Sequence, residues 1–232
     1  MCQATGTVLA QLAVGAKTNE IPMLRTLLDT LDITDAVITA DALHCQRDTA
    51  DAIVGAGGHY ILTVKANQPS LHAQLKNLPW KYIPVLDRST EHGHGRTAQR
   101  TLKACEITGG IGFPHAVQVL QLTRTVTDRA TKRKHTEVVY AVTSLSVTDA
   151  TSTQVAGWLR GHWAIENKLH WVRDVTYAED HSQVRAGNGP QVMATLRNTA
   201  ISLLRLDGHD NIAKALRHNA RSPHRPVKLL LT

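Results

Sequence analysis

Apolar positions along the chain follow two periods, and the first third alternates between them. Lys17–Leu31 carries Ile21, Leu24, Leu27, Leu28 and Leu31 at helical spacing, with Asn19 as an expected N-cap and Pro22 in the first turn. Ala36–Asp41 is a continuous apolar run ending in a carboxylate, the pattern of a strand buried on both faces. Cys45–Val54 reads as a helix stopped by Gly55-Ala-Gly-Gly58. Tyr60–Lys65 reads as a strand, Ala66–Pro69 as a turn, and Ser70–Leu78 as a helix capped by Ser70. Strand–helix–strand–helix at this spacing predicts βαβ units in a mainly parallel sheet. Thr5–Val14, β-branched and apolar, is expected to be a strand, although nothing before it in this sequence supplies a partner.

From Asp87 the pattern changes. Glu91–Arg96 is polar and Gly-rich and reads as a loop. Ala98–Ile107, Val117–Thr127 and Thr136–Leu145 read as antiparallel strands, with a basic hairpin tip at Thr127–His135. Helical spacing returns at about Ser152. In Trp158–Asp174 the residues Trp158, Ile165, Leu169 and Val172 form an apolar stripe, while His162, Glu166 and His170 stack on another face. Asp174–Gly189 reads as a polar loop. Pro190–Leu206 reads as an amphipathic helix facing inward through Val192, Leu196, Ala200, Leu203 and Leu204, and Asn211–Asn219 as a short helix. Arg221–Lys228 is expected to be a loose basic tail. The chain is thus expected to be α/β, in three parts: 1–86, a β-rich 87–148, and a helical 149–232.

Composition narrows the function classes. The 232 residues are 42% hydrophobic with a single Phe, so the expected core is aliphatic. Three widely spaced cysteines and no C-x-x-C argue against a disulfide framework or structural zinc, and suit a cytoplasmic location. No apolar run reaches the length of a membrane span. The net charge of +7 is segregated: residues 96–134 hold eight Lys/Arg against two Asp/Glu, and residues 160–232 hold eleven against six. Segregated positive charge is the footprint of a polyanion partner, with a merely basic, solvated surface as the plainer alternative. The hairpin-tip residues Arg129, Lys132, Arg133 and Lys134 suit phosphate contact, as does Arg96 in His94-Gly95-Arg96. Solvated turns are the plainer alternative for both.

Asp41 falls where a strand meets its following loop, a usual place for catalytic groups in open α/β sheets; helix capping is the competing role. Glu166 lies on a helix 125 residues later, flanked by imidazoles. Carboxylates drawn from a strand end and a helix suit a Mg²⁺ site for phosphoryl transfer. The motifs Ile38-Thr-Ala-Asp41 through Gln46, Tyr60–Gln68 with its Lys-Ala-Asn-Gln, His162–Trp171 and Arg173–Asp180 resemble the DDE transposases of bacterial insertion sequences. More narrowly, the chain is similar to the branch with a Tyr/Arg/Glu/Lys helix signature; Lys17–Ile21, His94–Arg96 and Tyr140–Leu145 extend the likeness over most of the chain. The resemblance implies an RNase H-like mixed sheet flanked by helices, with an antiparallel β insertion before the Glu-bearing helix. It implies Mg²⁺- or Mn²⁺-dependent DNA strand cleavage and transfer at insertion-sequence ends, with Asp41 and Glu166 as the second and third metal carboxylates.

Two departures qualify this. The signature spacing around Glu166 falls on Leu159, His162 and Arg173, so Arg173 is a basic substitute, Arg160 would take the phosphate-contact role from a neighbouring position, and both are expected to contact double-stranded DNA. The family's first Asp belongs to an Asp-Gly-Lys motif that these residues do not contain. The expectation is a transposase lacking an N-terminal piece, with impaired metal binding and catalysis, partnered by a second copy or a full-length transposase. The alternative is a catalytically dead DNA-binding or dimerising fragment. A zinc hydrolase using His162, Glu166 and His170 is disfavoured because the spacing is not H-E-x-x-H.

Overall fold

The computed structural model describes residues 1–14, 20–93, 95–107, 109 and 111–231. Lys17, Thr18, Asn19 and His94, which carried a cap and two motif assignments, lie outside them. The chain forms two compact units, one of residues 19–159 and one of residues 1–18 with 160–232.

The first unit is built on one six-stranded sheet in the order β1-β2-β6-β5-β4-β3. Its strands are β1 (Val37–Ala40), β2 (His59–Val64), β3 (Asp87–Gly93), β4 (Arg96–Glu106), β5 (Gln118–Asp128) and β6 (Lys134–Thr143). β1 and β2 are parallel, with Ala40 opposite Leu62. All other pairs are antiparallel, so the sheet is mixed as expected, with the parallel pairing predicted for the first third confined to β1 and β2. Connections as short as Gly93 to Arg96 can only return a strand antiparallel. Glu91–Arg96, read as a loop, is in fact the end of β3 and the start of β4, with Gly93 opposite Arg96.

Side-chain alternation assigns the two faces. Tyr60, Leu62, Val64, Val119 and Val142 point into one core, joined by Leu28 of α1 (Glu20–Leu28), Ala50 and Ile53 of α2 (Arg47–Gly55), and Leu71 and Leu75 of α3 (Pro69–Lys76). Ile61, Leu102, Leu120, Leu122 and Ala141 point the other way, onto Val155 and Leu159 of α4 (Ser152–His162). The core is not wholly aliphatic. The few aromatics gather in the first cluster, where Tyr60 meets Phe113 edge-on and Trp80 stacks obliquely on Tyr140. α3 starts one residue earlier than expected, because Pro69 takes its first position; Gln68, not Ser70, precedes it as the cap residue. Between α2 and β2 the chain passes so close to Ile33 that a Cβ on Gly58 would lie 2.9 Å from the Ile33 carbonyl oxygen.

The second unit is helical. α5 (Gly189–Leu206), α6 (Ile212–Asn219) and α7 (His224–Leu230) pack with the segment after α4 around Leu169, Val172, Ile201, Leu204, Ile212 and Ala215. Thr5–Val14 is not a strand. It runs along α5, its polar groups taken by helix side chains: Val8 N–H donates to Ser202 Oγ at 3.0 Å, and Gln11 Nε2 to Thr195 Oγ1 at 2.8 Å. Of the residues of α5 expected to face inward, Leu204 is buried. Val192 and Leu196 are more than half exposed, and Asn198, Ile201 and Leu204 point inward. The tail expected to be loose is α7.

Candidate functional site

Asp41 follows directly on β1. Its backbone is extended, and its Oδ1 accepts the Ala42 N–H at 2.6 Å, starting a 3-10 turn over Ala42–His44. The parallel register brings the end of β2 alongside, and Lys65 Nζ lies 3.7 Å from Asp41 Oδ1. The loop after β2 then fastens the loop after β1. Asn67 Nδ2 donates to the Ala42 carbonyl at 2.6 Å, and Gln68 Nε2 to the Cys45 carbonyl at 2.9 Å. Asp41 therefore does cap the turn, yet its side chain stays 61% exposed. The cap uses Oδ1 alone. Cys45 is fully buried, and burial pushes its thiol up to about 12, so it is a packing residue and offers no thiolate at neutral pH.

Glu166 is not on a regular α-helix. After α4 the chain winds into two π turns, Glu166–His170 and Val172–Thr176, with Trp171 N–H bonded to the Glu166 carbonyl. Such wide turns are rare and recur at functional sites. Leu169 and Val172 point into the core of the helical unit, while Trp158 packs with the α4 side of the sheet; the single apolar stripe expected from spacing is divided between two cores. Glu166 Oε2 lies 3.9 Å from His170 Nδ1, and both side chains are more than half exposed. Trp171 is 56% exposed.

Arg173 is held in a fork. Its Nε and one terminal nitrogen donate to the two oxygens of Glu179 at 2.5 and 2.7 Å, and Arg197 lies 3.5 Å from the same carboxylate. The hydrogen bond from Arg173 holds the Glu179 carboxyl below its ordinary value, and the same bond raises the Arg173 guanidinium. Arg160 ends in the last turn of α4.

The basic residues between 96 and 134 gather on one ribbon. Arg96, Arg133 and Lys134 line an open groove of about 910 Å³ on the β3–β6 strands. Arg129 donates its N–H to the Gly95 carbonyl at 2.8 Å, tying the two hairpin tips together. Asp128 Oδ1 accepts from Ala130 N, Thr131 N and Thr131 Oγ1, which shapes the tip and holds the Asp128 carboxyl below its ordinary value. Lys132 adopts a left-handed backbone there. Two further groove residues, Arg100 and Arg124, escaped the reading by motif. Their signal was present in the strand period: Arg96, Ala98 and Arg100 share a face by alternation.

Asp41 belongs to the sheet unit and Glu166 to the helical one. Among the described residues, no three His, Cys, Asp or Glu side chains converge as a metal-binding group. Residues 1–203 match the profile of a family described as "Transposase DDE domain". The chain belongs to this family. The resemblance seen in the Asp41 and Glu166 motifs is thus borne out, as is the mixed α/β architecture. The DDE-domain chain is 32% identical over 212 residues to the "H repeat-associated putative transposase YhhI" of Escherichia coli K12, covering 86% of this chain and 55% of that protein. It is 33% identical over 212 residues to "Putative protein YbfL" of the same strain, with the same coverage. To "Putative transposase YncI" of E. coli O157:H7 it is 34% identical over 208 residues, covering 86% and 53%. The chain therefore spans about half the length of these relatives. A chain in a piggyBac transposase synaptic complex with hairpin DNA is 14% identical with a TM-score of 0.42, covering 92% of this chain and 42% of that one, a likeness too loose to bear on its chemistry. No described helix of the DDE-domain chain is long and apolar enough to cross a membrane.

Proposed function

We propose that this chain takes part in DNA transposition, with Asp41 and Glu166 supplying oxygen ligands to a divalent cation, Mg²⁺ or Mn²⁺. The observation that carries the reading is Asp41: an exposed carboxylate at the end of β1, on a loop fastened by Asn67 and Gln68, in a DDE-domain chain. The donor set fits a hard cation. Both groups are carboxylates, both are exposed, and the cap on Asp41 engages Oδ1 alone. Lys65 offsets the Asp41 charge when no cation is there. A bound divalent cation would activate the attacking hydroxyl and stabilise the leaving oxygen of a phosphodiester. Arg96, Arg129, Lys132, Arg133, Lys134 and Arg160 hold the DNA backbone, while Arg173, gripped by Glu179, positions the turn after Glu166. The chain acts in the cytoplasm, with a second copy or a longer transposase chain as partner.

A second reading rests on the missing acid. The resemblance implies a third carboxylate from an Asp-Gly-Lys motif that the 232 residues do not contain. By themselves they would bind DNA and leave it uncut. Calorimetric titration with Mn²⁺ separates the two. Micromolar binding that disappears in both Asp41→Asn and Glu166→Gln supports the metal site, and a strand-cleavage assay then measures activity. Binding that neither substitution changes sinks the assignment. Absent or millimolar binding with intact, salt-sensitive DNA binding favours the second reading.

A further inference from the structure

The DNA-facing residues above come from motifs and hairpin tips; the groove contains a pair that neither reading uses. Arg100 and Arg124 are directly opposite one another on β4 and β5. Opposed residues of an antiparallel pair have Cβ atoms only about 5 Å apart, and like charges placed so repel. Arg100 is largely buried, 15% exposed, and its charge is met by Glu91 of β3 at 2.8 Å. The Arg124 side chain makes no hydrogen bond or ion pair among the described residues, and its Nε is buried without a partner. Glu137 sits opposite Arg124 on β6 but forms no ion pair with it. A buried guanidinium N–H left unpaired is costly. The terminal nitrogens of Arg124 are neither buried nor hydrogen-bonded among the described residues, so they are open to an anion from outside the chain.

The surroundings say which kind. The groove lining carries five Lys/Arg (Arg96, Arg100, Arg124, Arg133, Lys134) against two acids (Glu91, Asp128). The charges form a row, from the opposed arginines to the tip. β6 pairs with β2 as far as Tyr140 opposite Val64, so its residues 134–139 run on past the end of β2. At about 3.4 Å per residue, the ribbon overhangs that end by about 20 Å. It is the end that bears Asp41, because β1 and β2 are parallel. Arg100 and Arg124 share the sheet face of Leu102 and Leu122, the one that α4 covers nearer the core. Guanidinium forks match phosphate oxygens in a bidentate manner.

We infer that Arg100 and Arg124 form the anion seat of a DNA-backbone groove on the overhanging ribbon, with Glu91 holding Arg100 until a phosphodiester replaces it. The inference rests on the proposed action on DNA but not on the metal site. The test uses the whole chain, a fluorescein-labelled 30-bp duplex, EDTA throughout, and anisotropy across a salt series. Each phosphate contact contributes about 0.9 to the slope of log affinity against log salt. Arg100→Gln with Arg124→Gln should lower the slope by nearly two and weaken binding at least tenfold, with the melting temperature of the variant as a check on folding. Arg124→Lys should keep the slope and lose affinity, because the charge remains and the fork does not. Glu91→Gln should bind several-fold more tightly. An unchanged slope and affinity in the double variant would overturn the seat while leaving DNA action intact. A wild-type chain that binds no duplex at low salt would overturn both. Inorganic phosphate replacing chloride at matched ionic strength should leave the duplex bound; displacement by a few millimolar phosphate would mark a free-anion site instead.

Discussion

Asp41 stands at the end of an edge strand whose one neighbour, β2, is mostly buried, and amides from the next loop fasten the turn it starts. Glu166 stands on a turn wound one residue wider than an α-helix, and His170 is its partner among the described residues. The sheet unit is packed on both faces, with Tyr60, Leu62 and Val142 at 0% exposure. The helical unit closes around one cluster of six buried residues and leaves long apolar side chains of α5 outside it. One carboxylate follows directly on a paired strand, and the other sits on an exposed wide turn.

Core truncation tests this contrast with the largest effect. Leu62→Ala and Ile201→Ala each delete a fully buried side chain and should cost about 2–5 kcal/mol. Calorimetry should show Leu62→Ala lowering one transition and Ile201→Ala another. One transition shifted equally by both would break the comparison.

The brace behind Glu166 comes next. Arg173→Ala leaves Glu179 with Arg197 at 3.5 Å and should cost the helical unit about 1–3 kcal/mol. Because Arg173 depresses the Glu179 pKa in the folded state, the brace is at full strength above the unfolded carboxyl value of about 4.3. It weakens as pH falls through the lower folded value. Denaturant melts between pH 2 and 7 should show this acid-side loss in the parent and a smaller one in Arg173→Ala.

Smaller effects are expected beside Asp41. Asn67→Ala removes the amide on the Ala42 carbonyl and should cost about 1 kcal/mol, with faster hydrogen exchange over residues 42–45. Asp41→Asn preserves a capping oxygen and should change stability by less than about 0.5 kcal/mol. The smallest effect is chemical. At pH 8 iodoacetamide should reach Cys2 first, because the Thr5 hydrogen bond lowers its thiol, and should spare Cys45 until the sheet unit unfolds; early labelling of Cys45 would contradict its burial.

What the sequence made legible follows the same divide. Ala36–Asp41 and Tyr60–Lys65 read as strands because their residues are mostly apolar, although β1 proves to be an edge strand with Val37, Ile38 and Thr39 only half-buried. β3 did not, because Asp87–Gly93 is polar throughout and gains its structure from pairing with β4. Asp41 and the Lys-Ala-Asn-Gln loop were both marked by the family resemblance, and the parallel pairing of β1 with β2 brings them side by side. Arg100 and Arg124 were overlooked because their opposition is a matter of register, which pairs residues far apart in sequence. Helical spacing located Glu166 and His170, but a period of 3.6 cannot distinguish a π turn from an α turn over five residues. α5 misled for a physical reason: its inward side carries Asn198 to meet Gln11 and Arg197 to meet Glu179, so a polar stripe faces the interior.

The paired π turns also set a phase. A residue of an α-helix advances the screw by about 100°, so one extra residue wound into a turn offsets everything beyond it by a little more than a quadrant. Deleting Lys168 would give the chain an ordinary α-helical route through that stretch and keep the bearing of Val172 relative to Glu166. Tightening the wide turn with all its residues in place would instead swing Glu166 away from that bearing. The segment thus behaves as a vernier, in which chain length and direction trade against one another.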